Sequence, residues 1–294
     1  MLLGALEAGG TKMVCALGNE QGEVLDRASF PTRKPEETVR DIVEFFRGKG
    51  IAALGISCFG PLDLDRNSPA FGSITTTPKP GWQNVPLKKM LEEELRVPVD
   101  IDTDVNGAAL GEALLGAGKD VDSLVYYTVG TGIGGGIYYE GHLHHGLVHP
   151  EMGHIPLRPH PDDPAPNGFC PFHVSCLEGL ANGPAIEKRW GISAKELPED
   201  HLAWTLEAEY LSQMCMSTIL TLSPKRIVLG GGVMQQKHLF PRIHKRTREL
   251  LNGYVAHPVI LEHIDTYIVP PGLGNNSGAV GSLLLAKRAL EAAR

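Results

Sequence analysis

The sequence predicts a mixed α/β fold of two lobes. Two strand–glycine–strand units open the two halves of the chain, around Gly9-Gly10 and around Gly130 to Gly136. Such self-similarity at a distance reads as an internal duplication. After each unit, short apolar strands alternate with helical patterns, which is the signature of layered α/β architecture. At 294 residues the chain is long enough for two lobes with separate cores.

The elements follow in order. Strands are expected at 2–7, 13–17 and 24–30. Pro35 starts a helix in which Val39, Ile42, Val43 and Phe46 recur at helical spacing. A strand at 53–58 ends at Phe59-Gly60-Pro61, and 63–82, rich in Pro, Ser, Thr and Gly, reads as loop. Helix returns at 86–95, strand at 97–101 and helix at 106–115. The second unit has strands at 123–129 and 137–140 around the glycines. The stretch 141–179 is expected to be irregular. Helices are predicted at 184–190 and 201–222, strands at 226–229 and 267–269, and a closing helix over about 276–294. The first lobe is placed at 1–115, joined by the closing helix, and a larger second lobe at 116–275.

Composition is that of an ordinary globular chain, 42% hydrophobic and 21% charged. A net charge of -7 argues against a nucleic-acid partner, which needs clustered Lys and Arg. Glu7 interrupts the opening apolar run and no basic segment precedes it, so no signal peptide is expected. No apolar run is long enough to span a membrane. Five cysteines without a leader fit a reducing, cytoplasmic location. Cys15, Cys58 and Cys215 read as small core residues.

Three glycine turns can offer converging backbone N–H groups to a phosphate: Gly9-Gly10-Thr11-Lys12, Gly130-Thr131-Gly132 and Gly230-Gly231-Gly232. Gly130, Gly132 and Gly135 fit G-x-G-x-x-G, but the sequence after them continues as strand, whereas a dinucleotide site must open a helix. The Walker pattern is absent. A nucleotide would therefore bind against hairpins, as in actin-like and hexokinase-like folds.

Asp102-Thr103-Asp104-Val105-Asn106 stands between a strand and a helix. Aspartates there are good N-caps, and capping is expected to account for one of them. A second carboxylate at such a helix entry can take a proton from a substrate hydroxyl. Cys170, His173 and Cys176 place three ligands in seven residues, with His154 upstream. Zinc takes four such ligands in a closed structural site. His142, His144, His145 and His149 read as solvated loop residues.

Assembled, these segments resemble the ROK family of repressors, open reading frames and sugar kinases. The likeness is carried by Glu7 to Lys12, Asp104 to Glu112, Gly130 to Gly134, Pro150 to His154, the cysteine cluster running into Glu178-Gly179, and Gly230 to Gly232. Within the family the chain looks most like bacterial fructokinases, through EAGGTK, TPKPGW, HPEMGH and LGGGVMQQK. The resemblance implies the two-lobed actin-like/hexokinase-like (ribonuclease H-like) fold with a structural zinc site, the lobes closing on sugar and ATP.

It also implies roles. Asp104 would be the general base. Glu151, His154 and Glu178 would hold sugar hydroxyls, with Asn106 and the Gly60-Pro61 loop nearby. Gly9, Gly10, Thr11, Lys12, Thr131, Gly132, Pro184, Gly230, Gly231 and Gly232 would line ATP or ADP. Zn2+ would be held by His154, Cys170, His173 and Cys176, and Mg2+ by the nucleotide phosphates and water. Family members often carry Asp in place of Glu7 and Cys in place of His173. The implied activity is transfer of phosphate from ATP to the 6-hydroxyl of a hexose, D-fructose first and glucose, mannose or N-acetylmannosamine as alternatives. A non-catalytic sugar binder is the competing reading of another class. A DNA-binding repressor is not expected, because the first glycine turn leaves no room ahead of it for a helix-turn-helix. A homodimer is expected by analogy.

Overall fold

The computed structural model describes residues 1–294. It contains two five-stranded sheets of the same topology. In the first, β1 (Leu3–Ala8) runs antiparallel to β2 (Lys12–Gly18), and β2 antiparallel to β3 (Val24–Pro31). β1 also pairs in parallel with β4 (Leu54–Cys58), which pairs in parallel with β5 (Val99–Thr103). The second sheet repeats this with β6 (Ser123–Val129), β7 (Ile133–Tyr139), β8 (His142–Leu143), β9 (Arg226–Gly230) and β10 (Ile268–Val269). Its order, β8-β7-β6-β9-β10, matches β3-β2-β1-β4-β5 strand for strand. The duplication expected from the glycine hairpins is thus present in the topology.

The chain forms two compact units. Unit 1 comprises Met1–Lys119, Gly136–Pro150 and Gly272–Arg294; unit 2 comprises Asp120–Gly135 and Glu151–Pro271. Gly136–Pro150 therefore belongs with the first unit, although it lies beyond residue 115. Glycine at 136 permits this, since a Cβ there would stand 2.3 Å from the Val105 carbonyl oxygen.

In unit 1, α1 (Pro35–Phe46) and α2 (Leu87–Leu95) cover one face of the sheet. Pro35 in the first turn, Glu36 and Glu37 beside it and the buried Val39, Ile42, Val43 and Phe46 explain α1. These pack with Leu6, Met13, Ile56, Trp82 and Leu91 in one cluster. Each buried side chain of this size stabilises by roughly 1.5–3 kcal/mol. On the other face lie α3 (Asp104–Leu115) and α10 (Ser277–Ala292). α10 approaches closely because small residues face it: a Cβ at Gly55 would lie 1.9 Å from the Ser282 carbonyl oxygen, and one at Gly281 would lie 1.8 Å from that of Gly107. The buried Glu112 carboxylate ties α3 to this segment, accepting from the amides of Ala117 (2.7 Å), Gly272 (2.8 Å) and Leu273 (3.0 Å) and from Ser277 Oγ (2.6 Å).

Unit 2 carries α4 (Leu177–Ala181), α5 (Gly183–Trp190), the long α6 (Leu202–Leu222), α7 (Leu239–Leu251), α8 (Pro258–Leu261) and α9 (Ile264–Tyr267). α6 packs on β6 through the Tyr127–Thr218 hydroxyl pair at 2.7 Å, and on α7 through Ser212 Oγ, which donates to the Ile243 carbonyl. Helices α4, α7, α8 and α9 have no counterpart in the sequence reading. β7 starts at Ile133, not 137, so Gly134–Gly136 are strand residues. Gly135 and Gly136 have close neighbours; a Cβ at Gly135 would meet Met152 Sδ at 2.8 Å. No helix is long and apolar enough to cross a membrane.

Candidate active site

In unit 1 the first glycine turn is closed by the Gly9 amide, which donates to the Lys12 carbonyl (3.0 Å). Thr32 fastens its outer side: its hydroxyl donates to the Gly9 carbonyl (2.6 Å), and its amide to that of Thr11 (2.9 Å). Thr11 and Lys12 are exposed. Glu7 lies at the foot of the hairpin. Burial pushes its carboxyl above the usual range, while the nearby Arg27 and Lys12 pull it back and Asp104 raises it further. Its Oε1 is buried without a hydrogen-bond partner. The hairpin, Glu7 and the start of α3 thus form one charged neighbourhood.

Asp104 is the first residue of α3 and is exposed; its Oδ1 accepts from the Val105 amide (2.9 Å). Neither aspartate caps the helix. Thr103 is the N-cap, its Oγ1 accepting from the Asn106 amide at 3.1 Å. A β-region Thr between two aspartates fills this role equally well, so spacing alone could not choose. Asp102 instead turns inward, where its Oδ1 accepts from Asn106 Nδ2 at 2.7 Å. Gly60-Pro61 is a cis peptide. Its loop is held by the Thr75 amide, which donates to the Pro61 carbonyl (2.8 Å), and by His149.

Of the histidines expected to be solvated, His149 is buried, and His145, though exposed, is not free of partners. His149 is 7% exposed, and its Nε2 accepts from the Leu62 amide at 3.2 Å, which puts its proton on Nδ1. His145 places Nε2 2.8 Å from Asp102 Oδ2. Their partners lie 87 and 43 residues away in sequence, beyond the reach of local pattern. His142 and His144 are exposed as expected.

In unit 2 the second glycine turn is closed by the Gly130 amide, which donates to the Gly132 carbonyl (2.9 Å). It is braced by the Gly183 amide, donating to the Gly130 carbonyl (2.8 Å), and by Asn182 Nδ2, donating to the Thr131 carbonyl (2.9 Å). Asn182 also caps α5, accepting from the Ala185 amide (2.7 Å), with Pro184 in the first turn. A Cβ on Gly130 would lie 3.9 Å from the Gly232 amide nitrogen. The turns 130–132 and 231–232 and the start of α5 therefore lie together and form one glycine rim. Gly230 is buried in β9, where a Cβ would meet the Tyr126 hydroxyl at 2.4 Å.

Glu178, on α4, joins this rim to a Cys/His cluster. Its Oε2 accepts from the Ile133 amide (2.8 Å), and its Oε1 lies 4.0 Å from His154 Nε2. His154 closes the short turn Met152–His154, which follows Glu151. The ligand atoms of His154, Cys170, His173 and Cys176 all lie within 4.8 Å of one another. His154 Nδ1 is 3.9 Å from Cys170 Sγ and 3.8 Å from Cys176 Sγ, and His173 Nδ1 is 3.6 Å from Cys170 Sγ. A tetrahedral zinc separates neighbouring sulfur and nitrogen ligands by about 3.6 Å, so the spacing fits. The irregular loop is pinned by the Leu177 amide to Ile155 and the Phe169 amide to Gly179 (2.9 and 2.8 Å). All five cysteines are free thiols; burial pushes those of Cys15, Cys58 and Cys215 up, as core residues.

The chain matches the family described as ROK over residues 3–289. It is 45% identical to a fructokinase of Pediococcus pentosaceus over 291 residues, covering 99% of each chain. It is 44% identical to a fructokinase of Zymomonas mobilis over 294 residues, covering 97% of this chain and 96% of the other. Among solved structures, the ROK hexokinase of Thermus thermophilus superposes with a TM-score of 0.80 at 29% identity, covering 99% and 100% of the two chains. A Streptomyces griseus ROK glucokinase in complex with glucose and AMPPNP gives 0.79 at 25% identity, covering 98% and 100%. The two-sheet α/β architecture is thus the hexokinase-like one, and the chain belongs to the ROK family.

Proposed function

We propose that this protein is an ATP-dependent sugar kinase that transfers phosphate to the 6-hydroxyl of D-fructose. The observation that carries the reading is full-length identity of 39–45% to fructokinases from four bacteria. The geometry supports it with an exposed carboxylate at the start of α3 and two glycine turns of unit 2 that lie side by side.

Asp104 takes the hydroxyl proton as the sugar oxygen bonds to the γ-phosphorus and the bridging oxygen leaves with ADP. Phosphoryl transfer asks for little else beyond positioning and charge stabilisation. Thr11, Lys12, Thr131, Gly132, Gly231 and Gly232 offer N–H, hydroxyl and ammonium donors to the phosphates. Pro184 flanks the nucleotide at the start of α5. Asn106, Glu151, His154, Glu178 and the Gly60-Pro61 loop hold the other sugar hydroxyls. Magnesium, carried on the phosphates, would supply charge neutralisation, and Glu7, whose buried Oε1 has no partner, would be the carboxylate on that side. His154, Cys170, His173 and Cys176 would hold a zinc ion, which would fix the loop that carries His154. The protein is a homodimer, as light scattering would show by a doubled mass.

The test is ADP release by the zinc-replete protein with MgATP across fructose, glucose, mannose and N-acetylmannosamine. Turnover with fructose at the highest kcat/KM is expected. Preference for another hexose would move the substrate, and no turnover by folded protein would overturn the kinase reading.

A further inference from the structure

Unit 1 holds a polar triad, Asp102, Asn106 and His145, in which only Asn106 has a part in the proposed reaction. Asp102, 4% exposed, uses both carboxylate oxygens: Oδ1 accepts from the Thr103 amide (2.8 Å) and Asn106 Nδ2 (2.7 Å), and Oδ2 lies 2.8 Å from His145 Nε2. His145 Nε2 and Asn106 Nδ2 are 3.4 Å apart. A carboxylate only accepts, so His145 Nε2 carries a proton and donates. An amide nitrogen only donates, so the 3.4 Å approach is between two donors that share one carboxylate. The consequence falls on Asn106. With its nitrogen committed to Asp102, its Oδ1 must face the other way, and that atom is buried, without a partner, in a side chain 1% exposed. An unmet buried acceptor is destabilising unless a donor from outside completes it.

We propose that Asp102 and His145 are a positioning pair that locks the Asn106 amide so that its unpartnered Oδ1 is the acceptor a hydroxyl of the sugar completes. His145 thereby sets sugar affinity without touching the transferred phosphate. The identity of the donor rests on the sugar-kinase reading; the geometry of the lock does not. Without His145, Asp102 Oδ2 loses its donor and can draw the amide out of register. Asp102 holds the His145 ring above its ordinary pKa, against partial burial and the opposing charge of Arg66, with Asp100 adding to the rise. Of the other charges on this part of β5 and its loop, Arg66 is engaged with Asp100.

The experiment compares zinc-replete wild type, His145→Ala and His145→Gln in steady-state assays varying fructose and ATP separately. His145→Ala is expected to raise KM for fructose about tenfold, with KM for ATP within about twofold and kcat within about threefold, the scale of one lost charge-assisted hydrogen bond. His145→Gln, whose amide can reproduce the Nε2 donor, is expected to restore most of that loss. An unchanged fructose KM in folded His145→Ala overturns the proposal. So does an equal loss of kcat and of both KM values in the two variants, which would mark a general packing role. If wild type phosphorylates no sugar, the kinase reading fails by itself, and the lock is read by histidine ring-nitrogen NMR. An Nε2–H tautomer for His145 with a raised pKa, returning to ordinary in Asp102→Asn, supports it; an Nδ1–H tautomer in wild type overturns it.

Discussion

His154 presents its Nε2 to Glu178, 4.0 Å from Oε1, while its Nδ1 faces the thiols of Cys170 and Cys176. One imidazole thus links a metal-ligand cluster to a carboxylate that also grips the second glycine turn. A carboxylate that closes on the free nitrogen of a ligating histidine orients the ring and raises its basicity, and Glu178 stands just beyond that contact. One zinc per chain is expected by plasma mass spectrometry. Cys176→Ala should abolish that stoichiometry, and Glu178→Gln should weaken zinc affinity by about 10–100-fold in a chelator competition. Full zinc occupancy in Cys176→Ala would exclude the cluster as the metal site.

Asp104 can be tested without disturbing the helix it begins, because Thr103 supplies the cap. Asp104→Asn keeps an oxygen for the Val105 amide but cannot take a proton. A fall in kcat of about 10²–10⁴-fold is expected, with the melting temperature nearly unchanged. ADP release measured alongside calorimetry checks both halves. Near-normal turnover would remove Asp104 from the role of base.

What could be read from sequence was what local chemistry specifies. The hairpins declared themselves by glycine pairs between apolar runs, and α1 by its stripe from Val39 to Phe46. The cluster was legible because Cys170, His173 and Cys176 crowd into one turn. α7 was not, because its buried stripe is narrow, Leu239, Phe240, Ile243, Thr247 and Leu251, and is outnumbered by cations and polar residues on the other sides. Gly134 to Gly136 looked like turn because glycine signals freedom, yet Gly135 and Gly136 answer to close neighbours such as Met152 and Val105. The burial of His149 and the Asp102 partner of the exposed His145 were missed for a related reason. A histidine among glycines reads as solvated until a distant carboxylate or amide is folded against it.

Gly231 separates the 231–232 turn from β9 before it. Its φ of 93° favours glycine, and a Cβ would stand 2.4 Å from the Val129 carbonyl oxygen. Gly231→Ala is expected to cost about 1–3 kcal/mol in backbone strain, with displacement of the turn added. On the scale of about 2–4 °C per kcal/mol for domains of about 150–250 residues, that is a visible drop in melting temperature. KM for ATP should rise more than KM for fructose. A rise confined to fructose would place the 231–232 turn away from the nucleotide.

The last prediction concerns pH. Glu207 sits in α6 with 1% exposure, and its Oε1 has no partner. Burial pushes its carboxyl well above the ordinary 4.5, and only the Arg189 charge opposes this. Arg189 is already engaged, its Nε donating to Asp163 Oδ1 (2.8 Å) and its Nη1 to the Leu180 carbonyl (2.9 Å). The folded state therefore binds the Glu207 proton more tightly than the unfolded chain does. Stability from this group is fully present below about pH 4.5 and is lost as pH rises through the raised folded value. Glu207→Gln keeps the shape and removes the titration. Its melting temperature should match wild type near pH 4 and exceed it increasingly toward pH 9, by a few degrees on the scale of about 2–4 °C per kcal/mol. Parallel curves across that range would mean that Arg189 keeps Glu207 ionised in the folded protein. The α6–α5 junction would then be held by a buried ion pair rather than by a neutral acid.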